Sequence, residues 1–266
     1  MTQDARETLR RTFDQDAELY DRARPGYPEQ LFDDACALAG LGPGSAVLEI
    51  GSGTGHATLP LARRGCSVVC VELGRQLAAV ARTKLARFPR VAIVTAPFET
   101  WTPPHRAFDA VFAASSWHWL DPDVRYVKAA ALLRPGGALA IVRATRADEE
   151  ASDPFFTQVR ELYRQARAGG APGPRSSSDP CGEIGRTGRF ERVRSRRYEW
   201  GVDYTAEEYV DLLSTHSGDR ALDPRRRGAL HQEIQRLIDA RPNGRIRKLH
   251  AKLLHVAATR RASGDR

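Results

Sequence analysis

Five short, nearly apolar runs of β-favouring residues recur through the first 150 positions, and helix-forming segments separate them. The runs are Ala46–Ile50, Ser67–Val71, Val91–Val94, Phe108–Ala113 and Ala138–Val142. Four of them are close to continuous apolar stretches. Strands covered on both faces of a parallel sheet read this way, whereas a strand with one wet face alternates. Thr58–Arg64, Arg75–Arg87 and Asp123–Leu133 lie between the runs and have helix-forming composition. Such β-α alternation, with right-handed crossovers, predicts an α/β doubly wound sheet. Leu41-Gly42-Pro43-Gly44 breaks the chain before the first run, and Arg134-Pro135-Gly136-Gly137 breaks it before the fifth. Upstream, Pro28–Leu38 reads as a helix with Pro28 in its first turn and Gly40 past its end.

The pattern changes after residue 150. Asp153–Ala168 reads as a helix, and Gly169–Gly185, rich in Gly, Pro and Ser, as a surface loop. Phe190–Trp200 alternates as a strand would. Thr205-Ala206-Glu207-Glu208 has the form of a capping box opening a helix through Leu213. Pro224–Ala240 reads as a further helix and Arg247–Arg260 as a last strand. No apolar run approaches the roughly 20 residues needed to span a bilayer. The charged N-terminal stretch has no signal-peptide core, so a cytoplasmic protein without membrane contact is expected. Cys36, Cys66, Cys70 and Cys181 lack metal-ligand spacing and read as buried thiols, with no metal expected.

The net charge of +8 is unevenly placed. Residues 1–150 hold 18 Lys+Arg against 18 Asp+Glu, and residues 151–266 hold 23 against 15. The basic half could meet nucleic acid or an acidic substrate. Its arginines are interspersed with acids and have few aromatics among them, so a solvated face is favoured over a nucleic-acid surface. The six arginines between Arg186 and Arg197 fit one exposed strand face.

Chemistry concentrates in Glu49-Ile50-Gly51-Ser52-Gly53-Thr54-Gly55, which joins the first strand to a helix. Ligands bind there in open α/β sheets, at the carboxyl ends of the strands. Gly51, Gly53 and Gly55 allow close approach to the backbone and positive φ. A dinucleotide fingerprint needs G-x-G-x-x-G with pyrophosphate on the helix N-terminus. This loop is G-x-G-x-G followed by His56, and the acid Glu49 ends the strand. A carboxylate there repels pyrophosphate and favours a cationic ligand, such as an ammonium beside a sulfonium. A P-loop is excluded, because no Gly-Lys-Ser/Thr follows.

Val47–Gly55, the acid of Val71-Glu72-Leu73 and Leu132-Leu133-Arg134-Pro135-Gly136-Gly137 together resemble the class I S-adenosylmethionine (SAM)-dependent methyltransferases over roughly residues 10–145. The resemblance implies a mostly parallel, seven-stranded Rossmann-like sheet with an antiparallel last strand and a helical lid inserted in the C-terminal half. It implies an N-terminal helical cap over 1–40, a SAM-binding core over 41–150, and acceptor-lid helices with the last two strands over 151–266. Tyr20–Pro28 and Ala113–Trp119 resemble the small-molecule branch of the trans-aconitate-methyltransferase-like kind. For the cofactor the resemblance implies Tyr20 and Arg24 near the SAM carboxylate, with Glu49, Gly51, Ser52, Gly53 and Gly55 in the loop. It adds Glu72 on the ribose hydroxyls, Leu73, Pro97 and Phe98 towards adenine, and Ala114 and Ser115 beside the methionine part. Adenine binding by backbone groups and Phe98 stacking is expected, with Glu99 a weaker candidate. Tyr27, Trp117, His118 and Trp119 are expected at the acceptor. His118, at a near-neutral pKa, is the first candidate base and Tyr20 the second.

These readings predict methyl transfer to a small-molecule acceptor, acidic or aromatic, by in-line displacement, leaving S-adenosylhomocysteine (SAH). The protein would act mainly through positioning and exclusion of water. A monomer or homodimer without a nucleic-acid partner is expected. The rivals are an RNA or protein methyltransferase using the basic half, a non-catalytic SAM-binding regulator and, more distantly, an NAD-dependent oxidoreductase.

Overall fold

The computed structural model describes residues 3–103, 107–145, 147, 153–167 and 180–260. Its helices are α1 (Gln3–Arg11), α2 (Ala17–Ala23), α3 (Glu29–Ala39), α4 (Thr58–Arg63), α5 (Arg75–Leu85), α6 (Pro122–Leu132), α7 (Pro154–Ala166), α8 (Pro180–Arg186), α9 (Ala206–Ser214), α10 (Ser217–Arg220) and α11 (Pro224–Asp239). Its strands are β1 (Ala46–Ile50), β2 (Ser67–Glu72), β3 (Val91–Thr95), β4 (Phe108–Ala114), β5 (Leu133–Thr145), β6 (Phe190–Thr205) and β7 (Arg245–Thr259). They form one seven-stranded sheet in the order β3-β2-β1-β4-β5-β7-β6. β1 through β5 pair in parallel, and the last strand is antiparallel. This is the Rossmann-like methyltransferase arrangement that the resemblance implied.

The chain divides into two compact units. One comprises Gly26–Ala144, Ser177–Tyr198 and Lys252–Arg266. Alternate residues of its strands supply two hydrophobic clusters, which explains the continuous apolar runs. Leu48 and Ile50 of β1, Val111 and Ala113 of β4, and Leu139 and Ile141 of β5 belong to one cluster. Val47, Phe112, Ala138, Ala140 and Val142 belong to the other. A strand buried on both faces cannot carry the polar alternation of a one-sided sheet. Glu49 and Glu72 are thus conspicuous as buried polar groups on inner strands.

The other unit comprises Met1–Pro25, Thr145–Ser176 and Glu199–Ala251. Its core joins Phe155, Phe156 and Val159 of α7, Tyr209 and Leu212 of α9, and Leu230, Ile234 and Ile238 of α11. Asp219 is buried there and accepts a hydrogen bond from Tyr163 Oη at 2.7 Å, with His231 Nε2 2.8 Å from its second oxygen. The capping box at the start of α9 forms as expected: Thr205 Oγ1 accepts from Glu208 N and Glu208 Oε2 accepts from Thr205 N.

Three readings need correction. Arg134–Gly137 does not precede β5 but lies inside it as an irregularity, with the register shifting between Phe108 and Ala110. A Cβ on Gly137 would stand 3.0–3.1 Å from the carbonyl oxygens of Arg134, Asp109 and Phe108, so only glycine lets the backbones close. Residues 180–185 of the expected Gly169–Gly185 loop are helical, in α8, and residues 169–179 lie outside the described residues. Cys66 and Cys70 are buried, but Cys181 is exposed and Cys36 only half-buried. Among the described residues no helix is long and apolar enough to cross a membrane.

The helix missed in the sequence is held by charge. Glu183 of α8 accepts from the buried Arg125 Nη2 at 2.5 Å and from Tyr126 Oη at 2.9 Å, and Arg125 Nη1 donates to Trp117 O at 3.1 Å. Removing one partner of a buried pair strands the other. Arg125→Met is expected to lower unfolding free energy by roughly 2–4 kcal/mol, checked by urea denaturation.

Candidate functional site

β1 and β2 end side by side, with Ile50 opposite Val71, and each ends in or beside a buried carboxylate. The glycine turn between β1 and α4 is built on backbone that other residues rarely adopt: φ is 68° at Gly51, 56° at Gly53 and 83° at Gly55. Protein packing alone already requires two of these glycines. A Cβ on Gly51 would stand 2.6 Å from Ser116 Cβ, and one on Gly55 2.8 Å from Leu85 Cδ1. Ser116 Oγ donates to Ile50 O at 2.5 Å, tying the end of β4 to the start of the loop.

Glu72 organises the turn. Its Oε2 accepts from Gly53 N at 2.7 Å and its Oε1 from Gly74 N at 2.8 Å. Thr54 Oγ1, in the same turn, is buried and finds no hydrogen-bond partner among the described residues, while Ser52 Oγ is buried beside the Cys70 thiol. Buried hydroxyls are normally satisfied, which makes Thr54 unusual in this turn. Glu49 is 1% exposed, and Cys70 Sγ donates to its Oε2 at 3.9 Å. Burial, then the negative charge of Glu72, pushes its carboxyl up to about 8. A cation between these two carboxylates would reverse that shift.

The other expected residues are placed with mixed results. Leu73 is half-buried directly after Glu72, Pro97 is exposed and Ala114 is half-buried. Phe98 is 2% exposed within the core, with the Lys128 ammonium 5.0 Å from its ring centre, so stacking of adenine on it is not supported. Lys128 Nζ donates to the carbonyls of Phe98, Glu99 and Trp101 and so closes the turn after β3. Glu99 Oε1 accepts from Asp121 N at 3.3 Å. Trp117 likewise packs into the core, 5.0 Å from the Tyr126 ring. Trp119 is half-buried, its ring 4.7 Å from His118. His118 is half-buried, and burial together with the charges of Lys252 and Arg125 pushes its imidazole down to about 4, well away from the expected near-neutral value. Tyr20 and Arg24 lie in the other unit, where Arg24 sits over the Tyr20 ring at 5.1 Å and donates to Thr215 O at 2.8 Å.

One residue escaped the sequence reading. Lys252 of β7 donates from Nζ to Ser115 Oγ at 2.8 Å, and its ammonium lies 5.4 Å from the centre of the Tyr27 ring. Tyr27 Oη is 3.3 Å from the same Ser115 oxygen. Ser115 has φ 60°, a costly backbone for a non-glycine residue, held by its N–H bond to Val142 O at 2.7 Å. Locally Lys252 is one more polar residue of an alternating strand, 137 positions from Ser115, and no motif signals it. Among the described residues no group of His, Cys, Asp and Glu is arranged to hold a metal ion.

A Rossmann-like sheet with paired acids at the ends of β1 and β2 around a glycine turn defines a class of methyl-transferring enzymes, and comparisons agree. A methyltransferase domain family matches residues 47–137. An uncharacterized methyltransferase of Mycobacterium tuberculosis is 31% identical over 198 residues, covering 74% of this chain and 73% of its own. A solved candidate type II methyltransferase from Anaeromyxobacter dehalogenans is 27% identical with a TM-score of 0.65, covering 89% of this chain and 97% of that one. A phosphoethanolamine N-methyltransferase of Haemonchus contortus, solved with phosphomonomethylethanolamine and SAH, shares the fold at 16% identity and TM-score 0.55, covering 93% of this chain and 58% of its own. The chain belongs to the class I SAM-dependent methyltransferases.

Two titrations test this geometry. Folded Glu49 keeps its proton up to about pH 8, while an ordinary glutamate releases it near 4.5. Across that window unfolding releases a proton, so the wild type loses stability as pH rises. The stability gain of Glu49→Gln should therefore grow between those limits and level off above, as read by thermal melts from pH 4 to 9. A gain independent of pH contradicts the burial argument. Lys252→Met removes a cation that disfavours protonated His118, so the imidazole pKa should rise from about 4. It should stay below 6.5, because burial is the larger cause, and NMR titration of the His118 ring measures it.

Proposed function

We propose that this enzyme moves the methyl group of SAM to a small-molecule acceptor and releases SAH, acting in the cytoplasm. The observation that carries the cofactor reading is Glu72 bridging Gly53 and Gly74 beside the buried Thr54 hydroxyl, which finds no hydrogen-bond partner among the described residues. A carboxylate oxygen has two acceptor sites, so Glu72 can hold the loop and also take ribose hydroxyls. Glu49 meets the ammonium end and gives up its proton as that cation arrives. Leu73 and Pro97 flank the adenine, and Ala114 and Ser115 lie towards the methionine part. For Tyr20 and Arg24 the proposal rests on family resemblance.

When bound, SAM supplies a methyl group already activated by its sulfonium. The work left to the chain is alignment of the acceptor in line with the methyl–sulfur bond and exclusion of water. His118 is neutral at physiological pH and orients the acceptor through a ring nitrogen. A low imidazole pKa makes it a weak proton acceptor. Tyr20 stands as the second candidate base by resemblance. The RNA reading draws less support, because Arg196 is paired with Asp34 and Arg192 lies 3.9 Å from Glu191.

Calorimetric titration with SAM, SAH and NAD tests the assignment. SAM and SAH should bind and NAD should not. Glu72→Ala should weaken SAH by roughly tenfold to a hundredfold, since hydrogen bonds to a charged group are worth about 1.5–3 kcal/mol. Unchanged SAH affinity in a folded Glu72→Ala protein, or binding of NAD, would overturn the reading.

A further inference from the structure

We propose that Cys36 of α3 and the buried Cys66 just before β2 close into a reversible disulfide when the protein meets hydrogen peroxide. This modification site stands apart from the methyltransferase reading and does not depend on it.

The two thiols meet through tertiary packing. Cys36 lies in the last turn of α3, where its carbonyl accepts from Leu41 N at 2.8 Å. Cys66 follows the Gly65 turn, with its N–H bonded to Leu61 O at 3.2 Å and its Sγ 4.0 Å from Gly42 O. Both side chains pack in the cluster that holds Leu31, Phe32 and Val68, and their thiols hydrogen-bond to one another. Sulfurs already in contact have only to close to about 2.05 Å.

The backbones on either side are held together without that bond. Arg64, two residues before Cys66, donates to Asp33 Oδ1 at 2.6 Å and to Glu29 O at 3.1 Å, and its guanidinium lies 5.6 Å from the centre of the Phe32 ring. Glu29, Asp33 and Cys36 follow the i, i+4, i+7 spacing of one helix face, so the face that grips Arg64 also presents the thiol. The clasp fixes α3 against the turn, and closing the sulfurs asks for side-chain movement alone.

Charge prepares the pair. The hydrogen bond from Cys36, with the Arg64 and Arg90 guanidinium groups, holds the Cys66 thiol below its ordinary value against the opposing effect of burial. The same bond, then burial, pushes the Cys36 thiol up. Arg90 Nη2 stands 3.6 Å from where a Cβ on Gly65 would lie, next to Cys66 in the chain. The thiolate is the reactive form, and half-buried Cys36 opens the pair to a molecule as small as peroxide. The Cys66 thiolate attacks one peroxide oxygen: a sulfur–oxygen bond forms, the oxygen–oxygen bond breaks, and the departing hydroxide takes a proton to become water. The Cys36 sulfur then attacks the Cys66 sulfenic acid, the sulfur–oxygen bond breaks, and the second hydroxide leaves as water with the proton of Cys36. Each sulfur gives one electron, and one peroxide becomes two waters. Cys70 stays out of this chemistry, because burial and the charge of Glu49 push its thiol up. The new bond encloses β1, the Glu49–Gly55 turn and α4 in a covalent loop of about 30 residues, which restrains the unfolded chain and leaves the folded one in place.

The test uses the full-length C181S protein, which lacks the exposed thiol, treated with excess hydrogen peroxide and digested without reduction. Mass spectrometry should show peptides joined through Cys36 and Cys66 and released by dithiothreitol, with Cys70 still open to alkylation after unfolding. The thermal midpoint should rise by roughly 5 °C on oxidation and return on reduction. C36S in the same background should show neither the joined peptides nor the rise. If C36S does not fold, C36A carries the same comparison. Absence of the joined peptides overturns the proposal, as does a bond that includes Cys70 or a rise that persists in C36S. Joined peptides with an unchanged or lowered midpoint also overturn it, because they show a bond made from the opened chain and not from the folded arrangement.

Discussion

Glu72 takes the N–H of Gly53 with one oxygen and the N–H of Gly74 with the other, so one side chain at the end of β2 shapes the turns that follow two adjacent strands. Those turns lie at the carboxyl ends of the parallel strands, where open α/β sheets bind ligands. Neither could hold its backbone donors in place without an acceptor at that point, and water is a poor substitute at a residue only 6% exposed. The positive φ angles of Gly51, Gly53 and Gly55, the seat of Ser116 against Gly51 and the buried hydroxyls of Ser52 and Thr54 follow from a loop drawn tightly onto this carboxylate. Glu49 then lies close enough to feel a second negative charge, which makes the edge receptive to a cation.

The parallel half of the fold was legible because burial on both faces leaves a plain mark in composition. β1 through β4 begin at the residues where their apolar runs begin. β5 begins five residues ahead of its run, because Gly136 and Gly137, which look like punctuation, are absorbed as an irregularity inside the strand. Only the three backbone oxygens crowding Gly137 reveal that, and they come from distant positions as well as near ones. α8 was unreadable for a related reason. Its Pro, Cys and two glycines have little helix propensity, and its place depends on Arg125 and Tyr126, more than 50 residues away.

The family and the Glu49–Gly55 turn were readable from contiguous motifs, since a strand, a glycine turn and a helix keep their residues together in sequence. The acceptor end was not. Trp117 and Phe98 carried the composition of ligand contacts and turned out to be core, because an aromatic residue after a strand serves either purpose equally well. Lys252 carried no such signature and stands beside Ser115 through the pairing of β7 into the sheet. Local pattern reports what a residue could do; tertiary pairing decides which residues are asked.

The placing of β7 beside β5 has a consequence for synthesis. β5 ends at Thr145 and its neighbour begins at Arg245, so a hundred residues leave the ribosome before that edge is covered. Thr259 Oγ1 finally donates to the carbonyls of Arg134 and Gly137, across 125 and 122 positions, fastening the end of β7 to the irregular part of β5. Until then the nascent sheet presents an unpaired, strongly apolar strand, the kind of edge on which chains join one another. The parallel strands can assemble early, but the residue that reaches Ser115 arrives with the strand that closes this edge. The growing chain therefore gains the Lys252–Ser115 contact and its protection from aggregation in the same late event.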